Sequence, residues 1–249
     1  MPQPNVLVLR APGTNCDAET AFAFEQAGAK SETLHINRLL ENPSLVDRFQ
    51  ILCIPGGFSY GDDLGAGRIF GNQIQHHLDA ALAEFKADGK LILGICNGLQ
   101  VLMKSPVLLP PDGQDGPAAT LTLNDCGRYH DCWVRLETRG QKCVFLAGIE
   151  RMYLPVAHAE GKFVARNQAA IDQLESAGQL VLRYLHADNP NGAMADVAGV
   201  CDSTGRVLGL MPHPERHIDP TQHPRWTRGE AGPVGDGLQV FRNAVLHFA

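Results

Sequence analysis

The chain has 249 residues, 44% hydrophobic and 19% charged, with a formal net charge of −6. That balance suits a globular protein with a sizeable core, and its acidity argues against a nucleic-acid or anionic-membrane surface. No apolar run reaches the roughly 20 residues of a membrane helix, and 7 cysteines without a disulfide-like framework point to a single domain, residues 1–249, in a reducing cytoplasm.

The opening Met1-Pro2-Gln3-Pro4-Asn5 carries no basic region, and the apolar run at 6–9 is too short for a signal core. That run reads instead as a buried strand. Thr14 and Asp17 have capping-box spacing and predict a helix that stops at Gly28. Strands are expected at 32–36 and 50–54. The glycine-rich segment 56–71 lacks the Gly-Lys-Ser/Thr of a phosphate loop. Its Gly65, Gly67 and Gly71 miss dinucleotide spacing by one residue. Ile74, Leu78, Ala81, Leu82 and Phe85 recur at helical spacing and predict a helix ending near Gly89.

A strand at 91–95 then enters Gly94-Ile95-Cys96-Asn97-Gly98 and a short helix to Lys104. Residues 110–117 read as a surface loop. Short alternating runs between 121 and 163 predict antiparallel strands. A helix is expected at 169–177, with strands at 180–185, 193–200 and 207–211. The Pro-, Arg- and His-rich tract 219–235 reads as a solvated or partner-contacting loop. Asp236 is placed to cap a last helix carrying Leu238, Phe241, Val245 and Phe248. Strand–helix alternation of this kind predicts an α/β fold, a doubly wound and mostly parallel sheet with helices on both faces.

Gly-x-Cys-x-Gly between a strand and a helix predicts an exposed, strained cysteine at a helix N-terminus. There a thiolate is favoured and the N–H of Asn97 can stabilise an oxyanion. A cysteine nucleophile needs a base. His213 lies in Met211-Pro212-His213-Pro214-Glu215, after an apolar strand ended by proline. In extended chain His213 and Glu215 would point the same way, from the strand end where open α/β sheets place their sites. A second His-x-Glu pair, His158 and Glu160, competes by spacing but lacks the flanking prolines. Cys126, His130, Cys132 and Cys143 lack a C-x-x-C pair, so no metal site is expected.

The segments Pro55-Gly56-Gly57-Phe58-Ser59-Tyr60-Gly61-Asp62, Gly94-Ile95-Cys96-Asn97-Gly98 and Pro212-His213-Pro214-Glu215 occur in the order found in class I glutamine amidotransferases. The sequence resembles that family across nearly its whole length. Pro12-Gly13-Thr14-Asn15-Cys16-Asp17 and Pro155-Val156-Ala157-His158-Ala159-Glu160-Gly161 resemble one branch of it, glutaminases that serve a separate synthetase. The resemblance implies a flavodoxin-like fold and glutamine hydrolysis through a thioester on Cys96, with His213 and Glu215 completing a triad.

It also implies an oxyanion hole from the N–H groups of Gly57 and Asn97, and a substrate contact from Gln100. Ammonia would pass to a large synthetase subunit holding ATP and magnesium, with the need for a third small subunit left open. No cofactor is expected on this chain. His158 and Glu160 would lie near the synthetase interface. Cys126 and Tyr129 stand where the family pattern has serine and phenylalanine, which bears on partner contacts more than on catalysis. A non-catalytic docking subunit, a glutaminase of another amidotransferase, a cysteine peptidase or a γ-glutamyl hydrolase are the alternatives. The last two leave the 55–62 and 155–161 matches unexplained.

Overall fold

The computed structural model describes residues 3–111, 113, 116–139 and 142–249. Met1 and Pro2, and Asp112, Gln114 and Asp115 of the expected 110–117 loop, lie outside the described residues. In chain order the elements are β1 (Asn5–Arg10), α1 (Asp17–Gln26), β2 (Lys30–His35), α2 (Ile36–Glu41), β3 (Ile51–Ile54), α3 (Arg68–Gln73), α4 (Asp79–Ala87), β4 (Leu91–Ile95) and α5 (Asn97–Met103). Then come β5 (Ala119–Leu123), β6 (His130–Thr138), β7 (Arg151–His158), β8 (Glu160–Ala165), α6 (Gln168–Ser176), β9 (Leu182–Tyr184), β10 (Val197–Cys201), β11 (Val207–Leu210) and α7 (Leu238–Leu246).

Among the described residues nine strands form one sheet in the order β2-β1-β3-β4-β11-β10-β9-β6-β7. The first five are parallel to one another. The remaining pairings are antiparallel. The β5 and β8 strands make a separate antiparallel pair. Every residue of β3, β4 and β11 is buried, which is why these strands read as unbroken apolar runs instead of alternating ones. Their side chains, with Phe24, Phe49, Phe70, Phe85 and Phe241, belong to one continuous apolar core. One helical layer pairs α1 with α7, with the Phe24 and Phe241 rings edge-to-face at 4.9 Å. A second pairs α3 with α5.

Strand order reverses at β1, which has β2 on one side and β3 on the other. The crevice at such a point, beyond the carboxyl ends of the parallel strands, is where α/β sheets hold ligands. Segments 11–16, 55–62, 96–100 and 211–217 all leave that end.

Several local expectations are corrected. The capping box at Thr14 does not form: Cys16 is the N-cap of α1 and makes no side-chain cap, while the Thr14 hydroxyl accepts from the Ala11 N–H. The predicted helix over 74–89 is interrupted, because Ile74–Leu78 forms a π-helical turn between α3 and α4. Ile74, Leu78, Leu82 and Phe85 are still all buried, so the turn preserves the apolar face that the spacing revealed. Asp236 does not cap α7. Gly237 is the N-cap, and the Asp236 carboxylate accepts from the N–H of Tyr153 on β7.

The glycines around Cys96 are explained by close approach. A Cβ on Gly98 would lie 1.9 Å from the carbonyl oxygen of Ile54, and one on Gly94 would lie 2.7 Å from that of Gly98. The start of α5 can press against β3 and β4 only without those side chains. Gly98→Ala forces an atom against backbone that cannot rotate away, so a loss at or above ~3 kcal/mol is expected. Gly232 has negative φ and open surroundings, and Gly232→Ala should change stability by no more than about 0.5 kcal/mol. Urea unfolding of both variants checks the contrast.

Candidate active site

Cys96 follows the last residue of β4 and is the N-cap of α5, with φ +50° and ψ −103°. Such backbone costs of order 1–3 kcal/mol and persists only where surrounding packing dictates it. The Cys96 N–H donates to the carbonyl of Leu210 on β11 at 2.7 Å, tying the bend to the neighbouring strand. The thiol is not exposed to bulk solvent as the motif suggested. Cys96 is 4% exposed and opens into a cavity of about 180 Å³ lined by Gly57, Phe58, Gln100, Ala157, His158 and Glu160 among others. Asn97 starts the helix, so its N–H has no acceptor within it.

His213 and Glu215 come together, but by a different route from the expected extended chain. Pro214–Arg216 is a 3-10 turn. The turn brings His213 Nδ1 to 2.6 Å from Glu215 Oε1, with both residues buried. The His213 N–H donates to Pro155 of β7 at 2.9 Å, which seats the turn on the sheet. Burial alone would lower the pKa of His213. The Glu215 carboxylate and the Cys96 sulfur outweigh it and hold the pKa well above the usual histidine range. The carboxylate and the sulfur thus favour the charged form of the His213 ring. Its Nε2 and Glu215 Oε2 are buried without an aligned hydrogen-bond partner among the described residues.

A polar network fastens the cavity walls together. The Asn97 side-chain oxygen accepts from Ser59 N–H at 3.1 Å, and its nitrogen donates to Asp62 and Gln100 at 3.2 and 2.8 Å. Gln100 donates to the backbone carbonyl of Glu160. The Glu160 carboxylate accepts from the Ala66 N–H at 3.3 Å. The 56–71 segment, the elbow helix and the β7–β8 turn are thus one hydrogen-bonded unit. Gln100 lines the cavity as expected, with its side-chain amide already bonded to protein at both ends. Gly57 lines it too, in a bend where Phe58 N–H donates to Gly13 and Gly56 accepts from Cys16 N–H.

His158 and Glu160, expected near a partner interface, sit in the wall of the Cys96 cavity. Asp62 joins Glu160 there, and its pKa is raised by burial and by the Glu160 charge, against hydrogen bonds from Gly67 and Asn97. Two carboxylates and no cationic lining group suit a ligand bearing an ammonium. Nothing in the spacing of Asp62 signalled this role.

Cys16 was also missed as a site residue. It follows β1, is 1% exposed, and accepts from the Arg216 guanidinium at 3.2 Å. Arg216 is anchored in turn on Glu19 at 2.9 Å. Burial raises the Cys16 pKa, opposed by the neighbouring His213. Ligating atoms of Cys16, His213 and Glu215 all lie within 4.8 Å of one another, the one such group among the described residues. The His213–Glu215 hydrogen bond and a guanidinium on the sulfur favour a proton-holding cluster over a second cation. Cys126, His130, Cys132 and Cys143 do not converge among those residues.

A family model for CobB/CobQ-like glutamine amidotransferase domains matches residues 3–248. The chain is 46% identical over 255 residues to a phosphoribosylformylglycinamidine synthase subunit PurQ of Dehalococcoides mccartyi, covering 98% of each. It is 39% identical to the PurQ subunit of Methanococcus maripaludis, over 98% of this chain and 97% of that one. Among solved structures it resembles PurLQS from Thermotoga maritima, with TM-score 0.79, 28% identity and full coverage of both chains.

The raised His213 pKa has a testable origin. Because the folded value lies above the unfolded one, the stabilising pairing is fully present below the ordinary histidine range. It is lost as pH rises through the raised value. Glu215→Gln removes the main attraction that opposes burial, so the His213 ring should titrate at distinctly lower pH in that variant. NMR titration of the ring checks this, and an unmoved midpoint would assign the shift elsewhere.

Proposed function

The chain belongs to the glutamine amidotransferase family, and on that basis we propose that Cys96, His213 and Glu215 hydrolyse the side-chain amide of glutamine. Its function is that of the glutaminase component of phosphoribosylformylglycinamidine synthase, which supplies ammonia to an ATP-dependent carbon–nitrogen ligation in purine biosynthesis. The observation that carries the mechanism is a strained cysteine at a strand–helix bend, sharing a buried site with a histidine bonded at 2.6 Å to a glutamate.

In the proposed reaction the Cys96 sulfur attacks the carboxamide carbon. The oxygen becomes an oxyanion held by the N–H groups of Gly57 and Asn97, each such donor being worth about 3 kcal/mol. His213 gives its proton to the nitrogen as the C–N bond breaks, leaving ammonia and a glutamyl thioester. His213, now neutral, takes a proton from water, which attacks the thioester and releases glutamate. Glu215 holds the ring in one tautomer and favours the imidazolium. Asp62 and Glu160 supply the negative side of the cavity for the substrate ammonium.

The ligation belongs to a large synthetase subunit, and ATP and magnesium act there. The glycine-rich 56–71 segment lacks the Gly-Lys-Ser/Thr of a phosphate loop, which supports placing the nucleotide on the partner. A third small subunit and a cytoplasmic location extend the same reading. Seven free thiols fit a reducing compartment. Among the described residues no helix is long and apolar enough to cross a membrane.

Cys96→Ala should abolish glutamine-dependent synthesis by the assembled complex and leave ammonium-driven synthesis intact. Assays with each nitrogen source decide it, and retained glutamine use would overturn the mechanism. His213→Ala should cost several orders of magnitude in kcat and Glu215→Gln less, since an orienting group is partly replaceable. Steady-state glutamate release compares them.

A further inference from the structure

His158 is the one buried histidine of the cavity wall that the mechanism above leaves unused. Its protonation pattern follows from its neighbours. The ring Nδ1 lies 3.1 Å from the side-chain oxygen of Asn124. Asn124 cannot be turned the other way round. Its nitrogen donates to the carbonyls of His158 and Arg128 at 2.8 and 3.1 Å, and its oxygen also accepts from Gly161 N–H at 3.1 Å. An oxygen facing Nδ1 requires the proton on Nδ1, and Nε2 carries the lone pair. Burial, reinforced by the neighbouring His213 and His130, lowers the His158 pKa to about 4. The ring is therefore neutral in ordinary working conditions and the lone pair stays available.

That lone pair has no donor. Nε2 is buried and unpartnered among the described residues, on a residue that is 3% exposed and lines the Cys96 cavity. The ring packs over Gly161, in the space that a Cβ there would need. An unpartnered buried acceptor on a cavity-lining residue selects a donor. The α-ammonium of the substrate is already answered by two carboxylates. The other N–H groups that glutamine brings are those of its carboxamide. They arrive beside this residue, because the preceding carbonyl, of Ala157, stands 3.7 Å from the Cys96 sulfur.

We propose that His158 Nε2 accepts a hydrogen bond from the carboxamide nitrogen of glutamine and orients it as a leaving group. This rests on the glutaminase reading and adds a recognition element for the amide itself. The Cys96 electron pair forms the C–S bond, the C–N pair stays on nitrogen, and the His213 proton joins it there. His158 contributes no proton, because its single N–H is committed to Asn124. Ammonia leaves neutral, and His158 gives it no further proton.

The test compares two substrates that differ only in the leaving group, L-glutamine and the γ-methyl ester of L-glutamate, whose leaving oxygen carries no N–H. The full chain with its synthetase partner is used, and glutamate release is followed. His158→Leu should lower kcat/KM for glutamine by roughly tenfold more than for the ester. His158→Gln, whose side-chain oxygen is again an acceptor, should recover part of the amide turnover. Should His158→Leu fail to fold, His158→Phe replaces it. A phenyl ring keeps a planar side chain in the cavity wall and carries no lone pair, and the same amide-selective loss is expected. Equal losses on both substrates, or no loss on glutamine, would overturn the proposal. Wild-type ester turnover that survives Cys96→Ala would overturn the glutaminase reading instead, so the two failures are separable.

Discussion

The site depends on one backbone constraint, the close approach of the first turn of α5 to β3 and β4. Gly98 meets the Ile54 carbonyl and Gly94 meets Gly98 at distances no side chain would tolerate. That contact forces Cys96 to positive φ and turns its sulfur out of the sheet into the cavity. It also sets the Asn97 side chain where it can bond Ser59, Asp62 and Gln100 together. The strain at Cys96 is held by packing on all sides, including its own N–H bond to β11. Cys96, Asn97 and the cavity wall are thus positioned by the same few backbone contacts.

Much of this was legible in the sequence because its carriers are local. Gly-x-Cys-x-Gly and Pro-His-Pro-Glu each place their chemistry within five residues, and unbroken apolar runs identified β3, β4 and β11. What was not legible comes from long-range pairing. Asn124 fixes the tautomer of His158 from 34 residues away, and Cys16 meets Arg216 across 200. Neither relation leaves a spacing signal. Asp62 looked like one more polar residue of a glycine-rich loop until the fold set it beside Glu160.

Other misses came from local rules overruled by packing. His213 and Glu215 were expected to align by strand periodicity, yet Pro214 opens a 3-10 turn that brings them into contact more directly. Thr14 has capping-box spacing, but its hydroxyl is taken by Ala11. The 74–85 stripe was a correct guide to burial and a poor guide to continuity, because a π turn keeps the buried face aligned while breaking the regular helix.

The β7 strand ends the nine-stranded sheet, where an unpaired edge would invite another chain to add itself. Here the edge is occupied. Tyr153 N–H donates to Asp236, Tyr153 O pairs with His217, and Pro155 O accepts from His213. The segment that brings His213 to Cys96 is also the strip that seals the sheet. The His213 turn and solubility are therefore coupled. Damage that lifts residues 213–237 from β7 exposes a ready template for strand addition, so chains that lose the His213–Glu215 pair by local unfolding are also the ones prone to self-association.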